Sequence, residues 1–259
     1  MEVIVRPTTE SAVRLTARLI GDLVGRKPDC VLGLATGRTM EAVYSELAAL
    51  KKDFSKVTSF NLDEYIGLGP DNKNSYRYYM QSNLFDRINI KKENTNLPNG
   101  LANDVKAEGP RYEKAIRDAG GIDLQLLGIG RDGHIGFNEP LSSFASRTRD
   151  KALTPETYEQ NSPLFDDPAE MPMRAFTMGV GTILDSRCAI LLATGDEKAD
   201  IIAKAVEGPM SSMVTASALQ LHPHAIVIVD EAAGAKLQNR KYYDWVFAND
   251  PDWKDYQGI

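Results

Sequence analysis

Leu126-Leu127-Gly128-Ile129-Gly130-Arg131-Asp132-Gly133-His134-Ile135-Gly136-Phe137-Asn138-Glu139-Pro140 is the stretch on which the reading of this chain turns. Residues 122–127 are mainly apolar and read as a short buried strand. The strand runs into a loop holding Gly128, Gly130, Gly133 and Gly136. Glycines at that density let the backbone turn sharply and approach a ligand closely. Asp132, His134 and Glu139 lie among them, spaced so that two carboxylates and an imidazole can reach one spot on a tight loop. A loop so equipped suits proton transfer. Three other readings compete. Gly128-x-Gly130-x-x-Gly133 matches a dinucleotide fingerprint, which needs a helix starting inside the glycines; His134, Gly136 and Pro140 argue against one. The charges of a plain surface turn are simply solvated. A metal site wants a second His or a Cys at ligand spacing, and the stretch has neither.

Outward from this loop, strands alternate with helices. Residues 2–6, 30–35, 57–62, 175–180, 188–194 and 225–229 read as further strands. Helical stripes cover residues 9–24, from a cap at Thr8 or Thr9, then 39–47, 74–87 and 104–119, the last interrupted or delayed by Gly109-Pro110. Others cover 196–207, 211–221 and 232–247. Such alternation predicts an α/β fold with a mainly parallel sheet covered on both faces. No repeat or linker divides the 259 residues, so one domain, 1–259, is expected. Residues 141–174 have little periodicity beyond one expected helix over 154–165, broken at Pro163, and follow a reactive loop directly, which makes them a candidate lid.

Composition narrows the function. A net charge of -6 argues against a nucleic-acid surface. No apolar run approaches the ~20 residues of a membrane helix, and the first residues lack signal-peptide architecture, so a cytoplasmic protein is expected. Cys30 and Cys188 read as buried, reduced thiols.

Three strand ends carry further chemistry. Thr36-Gly37-Arg38-Thr39, between a strand and a helix, suits an anion, whereas Thr39 as an ordinary cap is the competing reading. Asp63-Glu64-Tyr65 closes its strand where open α/β sheets place ligands, although solvated loop acids give the same pattern. Lys198 in a first helical turn opposes the helix dipole, a cost that a bound anion offsets.

Over nearly its whole length the chain resembles the glucosamine-6-phosphate deaminase (isomerase) family. The resemblance rests on residues 33–37, 60–68, 132–140, 146–149, 180–182 and 219–223. It implies a Rossmann-like three-layer fold, shared with 6-phosphogluconolactonases and ribose-5-phosphate isomerases. The implied reaction turns an amino-sugar phosphate and water into a ketose phosphate and ammonia, with no metal or organic cofactor. His134, as a neutral imidazole held by Asp132 and Glu139, would relay a proton to the ring oxygen, and Asp63 would move the C2 proton to C1. Glu64 is a neighbour without an assigned role. Thr36, Gly37, Thr39 and Lys198 match the family's phosphate cradle. The lid arginine of that cradle aligns with Pro163, and Arg38 stands where a small residue is usual, so Arg38 is expected to supply the missing charge. Some family members are hexamers activated by N-acetylglucosamine 6-phosphate. Their activator residues match Ser142, Arg149, Lys151 and Tyr242, with Ala152 in place of a threonine. A homo-oligomer is therefore an open alternative. Rival functions are a galactosamine-6-phosphate deaminase, a 6-phosphogluconolactonase, whose substrate needs no carbon base, and a sugar-phosphate sensor without turnover.

Overall fold

The apolar runs become a seven-stranded sheet. In the computed structural model, which describes residues 1–259, the elements follow in the order β1 (Glu2–Arg6), α1 (Thr9–Arg26), β2 (Val31–Leu34), α2 (Arg38–Ala49), β3 (Thr58–Asn61), β4 (Asp63–Tyr65), α3 (Tyr76–Asn83), β5 (Thr95–Asn96) and α4 (Val105–Asp118). Then come β6 (Leu124–Leu127), β7 (Arg149–Ala152), α5 (Pro155–Asn161), β8 (Arg174–Thr177), α6 (Val180–Leu184), β9 (Ala189–Ala193), α7 (Ala199–Val206), β10 (Ala225–Asp230) and α8 (Arg240–Asn249). The main sheet runs β1-β10-β9-β6-β2-β3-β5, and all its pairs are parallel. Its strands β2, β6 and β9 are buried throughout, as strands covered on both faces must be. From β2 the chain steps to β3 and β5 on one side. From β6 it steps to β9 and β10 on the other. Strand order thus reverses between the neighbours β2 and β6, and the crevice beyond their carboxyl ends is where such a sheet takes its ligand.

Several sequence expectations need correction. Asp63-Glu64-Tyr65 is not a loop. It forms β4, which pairs antiparallel with β8, itself paired with β7, in a second, three-stranded sheet. Leu62 links the two sheets: its N–H donates to the Leu34 carbonyl and its own carbonyl accepts from Met178. Residues 141–174 hold the expected helix as α5, which ends at Asn161 ahead of Pro163, and also β7, which was not expected. The alternation of β7 is hidden because a small sheet on six buried residues (Tyr65, Phe137, Leu153, Phe165, Met171 and Ala175) needs few apolar positions per strand. The chain also leaves β8 at Thr177 rather than at residue 180. A Cβ on Gly179 would lie 2.0 Å from the Ser146 carbonyl oxygen, and that close approach turns the chain into α6.

Helix α4 is continuous through Gly109-Pro110. Pro110 forfeits one backbone bond, but Asp104 caps the helix through the N–H groups of Lys106 and Ala107. Gly109 is there because a side chain would strike the Thr148 carbonyl, 2.3 Å from its Cβ position. Residues 211–221 make only a short 3-10 helix (Thr215–Leu221), and the C-terminal helix starts at Arg240 rather than near 232. Thr8 caps α1 in a capping box with Ser11. Both cysteines are free; Cys30 is buried and Cys188 half-buried. No helix is long and apolar enough to cross a membrane.

Candidate active site

The β2–α2 turn forms one wall of the crevice. Gly37 has φ +123, a conformation that side chains rarely adopt. It is the N-cap residue of α2, and no side chain caps the helix. Thr39 is therefore not the cap; it lies inside the helix. The first N–H groups of α2 are free for an anion. Two tyrosines brace the turn from below: Tyr79 donates to the Gly37 carbonyl at 2.8 Å, and Tyr44 donates to that of Ala35. Arg38 is exposed at the mouth. Opposite, Lys198 follows β9, and its ammonium donates to the Ile129 carbonyl at 2.9 Å. Its half-buried amine is pushed down by burial and by the nearby Arg131, partly offset by Glu197. Two cations are thus kept close together, one after β9 and one in the β6 loop. Arg131 is inconspicuous in the sequence, because it occupies a spacer place between Gly130 and Asp132.

The β6 loop supplies the titratable cluster. Tight turns fix it: Gly133 N–H donates to the Gly130 carbonyl, Gly130 N–H to that of His134, and Ala216 N–H to that of Gly133. No helix follows the glycines, so the dinucleotide reading falls. Nδ1 of His134 lies 2.7 Å from Oδ1 of Asp132 and 3.3 Å from Oε2 of Glu139. Neither oxygen is aligned as a hydrogen-bond acceptor for the ring nitrogen. Burial opposes the imidazolium charge, but the two carboxylates outweigh it and raise the pKa of His134 to about 9. Asp132 is correspondingly held well below the usual carboxylate range, against the effect of its own burial. The family resemblance implies a neutral imidazole; the two carboxylates beside this one favour its protonated form. The three side chains each offer one atom within 4.8 Å of the others. A metal ion could be held there despite the absence of a second histidine, although the imidazolium already supplies a positive charge.

Asp63 reaches the same place from β4. Its ladder partner Thr177 accepts the N–H of Phe137 through Oγ1 at 3.0 Å, which ties β4 to the His134 loop. Oδ2 of Asp63 is 3.6 Å from the Cβ position of Gly136. Burial first, and then Glu64, push Asp63 up to about 8, while the charge of His134 pulls the other way. Asp63 and His134 are therefore within electrostatic reach of each other. Glu64 plays a different part, as its carboxylate accepts the N–H groups of Tyr65, Tyr76 and Arg77, each at 2.9 Å. Burial raises its pKa to about 7 although those bonds favour the charge. It anchors the start of α3.

The remaining expected residues separate. Arg149 donates to Asn138 Oδ1 at 2.8 Å and to Ser142 Oγ at 3.2 Å, so these matched activator residues are joined. Lys151 follows on β7. Tyr242 is exposed on α8, which packs against β1, an edge strand of the main sheet. Pro163 lies in the 3-10 turn after α5. A cavity of about 290 Å³ opens elsewhere, beside Glu113 and Arg147. There Arg147 is already paired with Glu113 and Asp185, so its charge is satisfied.

A family model described as glucosamine-6-phosphate isomerases/6-phosphogluconolactonase matches residues 7–229. The chain belongs to this family. Within it, the chain is 51% identical over 250 residues to a glucosamine-6-phosphate deaminase of Hahella chejuensis, covering 95% of each. It is 48% identical to one of Pseudarthrobacter chlorophenolicus over the full length of both. The fold superposes on a solved monomeric glucosamine-6-phosphate deaminase with a TM-score of 0.89 and 43% identity, covering 91% of this chain and 100% of that one. A 6-phosphogluconolactonase from Trypanosoma cruzi shares the fold at a TM-score of 0.74 and 19% identity, covering 92% and 97%.

Proposed function

We propose that this member of the family converts glucosamine 6-phosphate and water into fructose 6-phosphate and ammonia. The convergence of Asp63 and His134 on one crevice, next to a free helix end and Lys198, carries this reading. Deaminase relatives of about half identity support the amino-sugar phosphate as substrate. The phosphate lies against Thr36, Gly37, Thr39 and Lys198, where N–H groups and an ammonium meet its charge. His134 gives its proton to the ring oxygen as the C1–O5 bond breaks, and recovers one from the anomeric hydroxyl. Asp63 takes the proton from C2; the electron pair left behind forms the C1=C2 bond, the C1=O π pair moves to O1, and O1 takes the proton held by His134, giving an enolamine. The same carboxyl returns the proton to C1, leaving an iminium at C2. Water adds there and gives up its two protons, one to the nitrogen and one to His134, so that ammonia leaves, a ketone remains and His134 is restored.

The two titrations set the pH dependence. Asp63 must be ionised to act as a base, and in the free enzyme its pKa is about 8. His134 must be protonated to act as an acid, and its pKa is about 9. The profile of kcat/KM is therefore a narrow bell, rising as pH passes 8 and falling above 9. A flat profile from pH 6 to 10 would reject the pairing of roles. Ammonia release measured on glucosamine, galactosamine and mannosamine 6-phosphates tests the substrate; hydrolysis of 6-phosphogluconolactone without ammonia release from any of them would reject the deaminase. Arg38 is exposed and starts α2, and it is our candidate for the charge lost at Pro163. Arg38→Ala should raise KM for the phosphorylated sugar roughly tenfold with kcat kept, the pattern of lost uniform binding. An unchanged KM excludes Arg38 from phosphate binding.

A further inference from the structure

We propose that Thr157 is a positioning residue for the proton relay: α5 brings its hydroxyl to Glu139, and that bond keeps the other carboxylate oxygen turned towards His134. The inference rests on the proposed deaminase mechanism and adds a part to it from the segment 141–174. Thr157 is 3% exposed, and its Oγ1 donates to Oε1 of Glu139 at 2.6 Å. The hydroxyl of Thr154 donates in turn to Thr157 at 3.2 Å, so the proton of Thr157 is left to point at Glu139. Linked hydroxyls of this kind polarise one another. Thr157 is held in register because Thr154 caps α5 and accepts the N–H of Thr157 at 3.3 Å.

Glu139 has little else to fix it. Its Oε1 receives one other contact, the Thr154 N–H at 3.5 Å, which is at the limit of a hydrogen bond. Its Oε2 has no aligned partner and faces His134 Nδ1 at 3.3 Å. The residue is 2% exposed, so water does not replace a lost donor. The charged groups facing this carboxylate come from its own loop, His134 and Asp132. From α5 come two neutral hydroxyls. Arg149 is nearby but is engaged with Asn138 and Ser142. Without the Thr157 hydroxyl, Glu139 can rotate away from His134, and the ring loses one of the two carboxylates beside its Nδ1, leaving Asp132 and the more distant Asp63 of β4.

The test is the pH profile of ammonia release in Thr157→Val, which keeps the shape, and Thr157→Ser, which keeps the hydroxyl. Thr157→Val should lower kcat about tenfold with KM little changed, as misplaced catalytic groups do. Its alkaline limb should move down by about half a pH unit or more, because His134 loses a neighbouring carboxylate. Thr157→Ser should restore both. Where Thr157→Val does not fold, Thr157→Cys serves, as a thiol is a far weaker donor. A wild-type profile in the Val or Cys variant overturns the proposal, and so does a Ser variant as impaired as Val, which would mean packing alone. A wild-type enzyme that releases no ammonia from any hexosamine phosphate refutes the underlying mechanism instead.

Discussion

Asp63→Asn should lower kcat for ammonia release by about 10²–10⁴, the range for one positioned base, and stop exchange of the C2 proton with solvent. Substrate should still bind, because the proposed phosphate contacts lie in the loops after β2 and β9, which the substitution does not touch. The same variant should be more stable than the wild type, and the sign follows from linkage. The folded pKa of Asp63 is raised from the usual carboxylate range to about 8 by burial and by Glu64. A group raised in the folded state favours folding below its unfolded pKa, and that contribution is lost as pH climbs through the folded one. Between about pH 4 and 8 the wild type therefore grows less stable on account of Asp63. Asparagine has no charge to bury, so the gain in Tm should be larger at pH 8 than at pH 5. Enzymes commonly trade stability for activity at such a residue. Undiminished proton exchange in Asp63→Asn would remove Asp63 from the mechanism, and a Tm difference independent of pH would show that its carboxyl carries no burial cost.

Local chemistry makes much of this molecule legible in the sequence. The central strands β2, β6 and β9 are buried throughout, so their sequences are mostly apolar, and the loops at the carboxyl ends of the sheet show the proposed phosphate cradle and His134 in plain view. What the sequence conceals depends on pairing between distant residues. Asp63-Glu64-Tyr65 reads as the end of a strand and is the start of another, since its partners are residues 175–177. Nothing nearby announces that pairing. Glu64 and Asp63 are adjacent acids, yet alternation along β4 sends one to cap α3 and leaves the other facing the crevice. Thr157 lies in the expected helix, yet its role exists only because α5 folds back over Glu139. The upward shift of the His134 pKa is also out of reach of the sequence, because it depends on how closely two carboxylates approach the ring, 2.7 and 3.3 Å, rather than on the histidine itself.

Gly130→Ala should cost nearly as much activity as removal of His134, although the substitution adds only a methyl group. Gly130 does not need a left-handed backbone; its φ is not among the positive ones. Its importance is space. A Cβ there would lie 2.4 Å from Cε1, 2.5 Å from Nε2 and 2.6 Å from Nδ1 of His134, so the imidazole is packed flat against the glycine. Alanine forces the ring off this seat. Its backbone is pinned by the Gly130–His134 hydrogen bond, so the side chain must rotate and leave Asp132 and Glu139. Displacement of this kind costs about 10²-fold in rate. The loss should fall on kcat, with the alkaline limb of the pH profile moving down as the imidazolium loses its carboxylates. His134→Ala sets the floor, and the double variant should be no worse than His134→Ala alone, since both changes remove one function. If Gly130→Ala retains full activity, the ring is not used in the position described, and the relay through His134 must be given up.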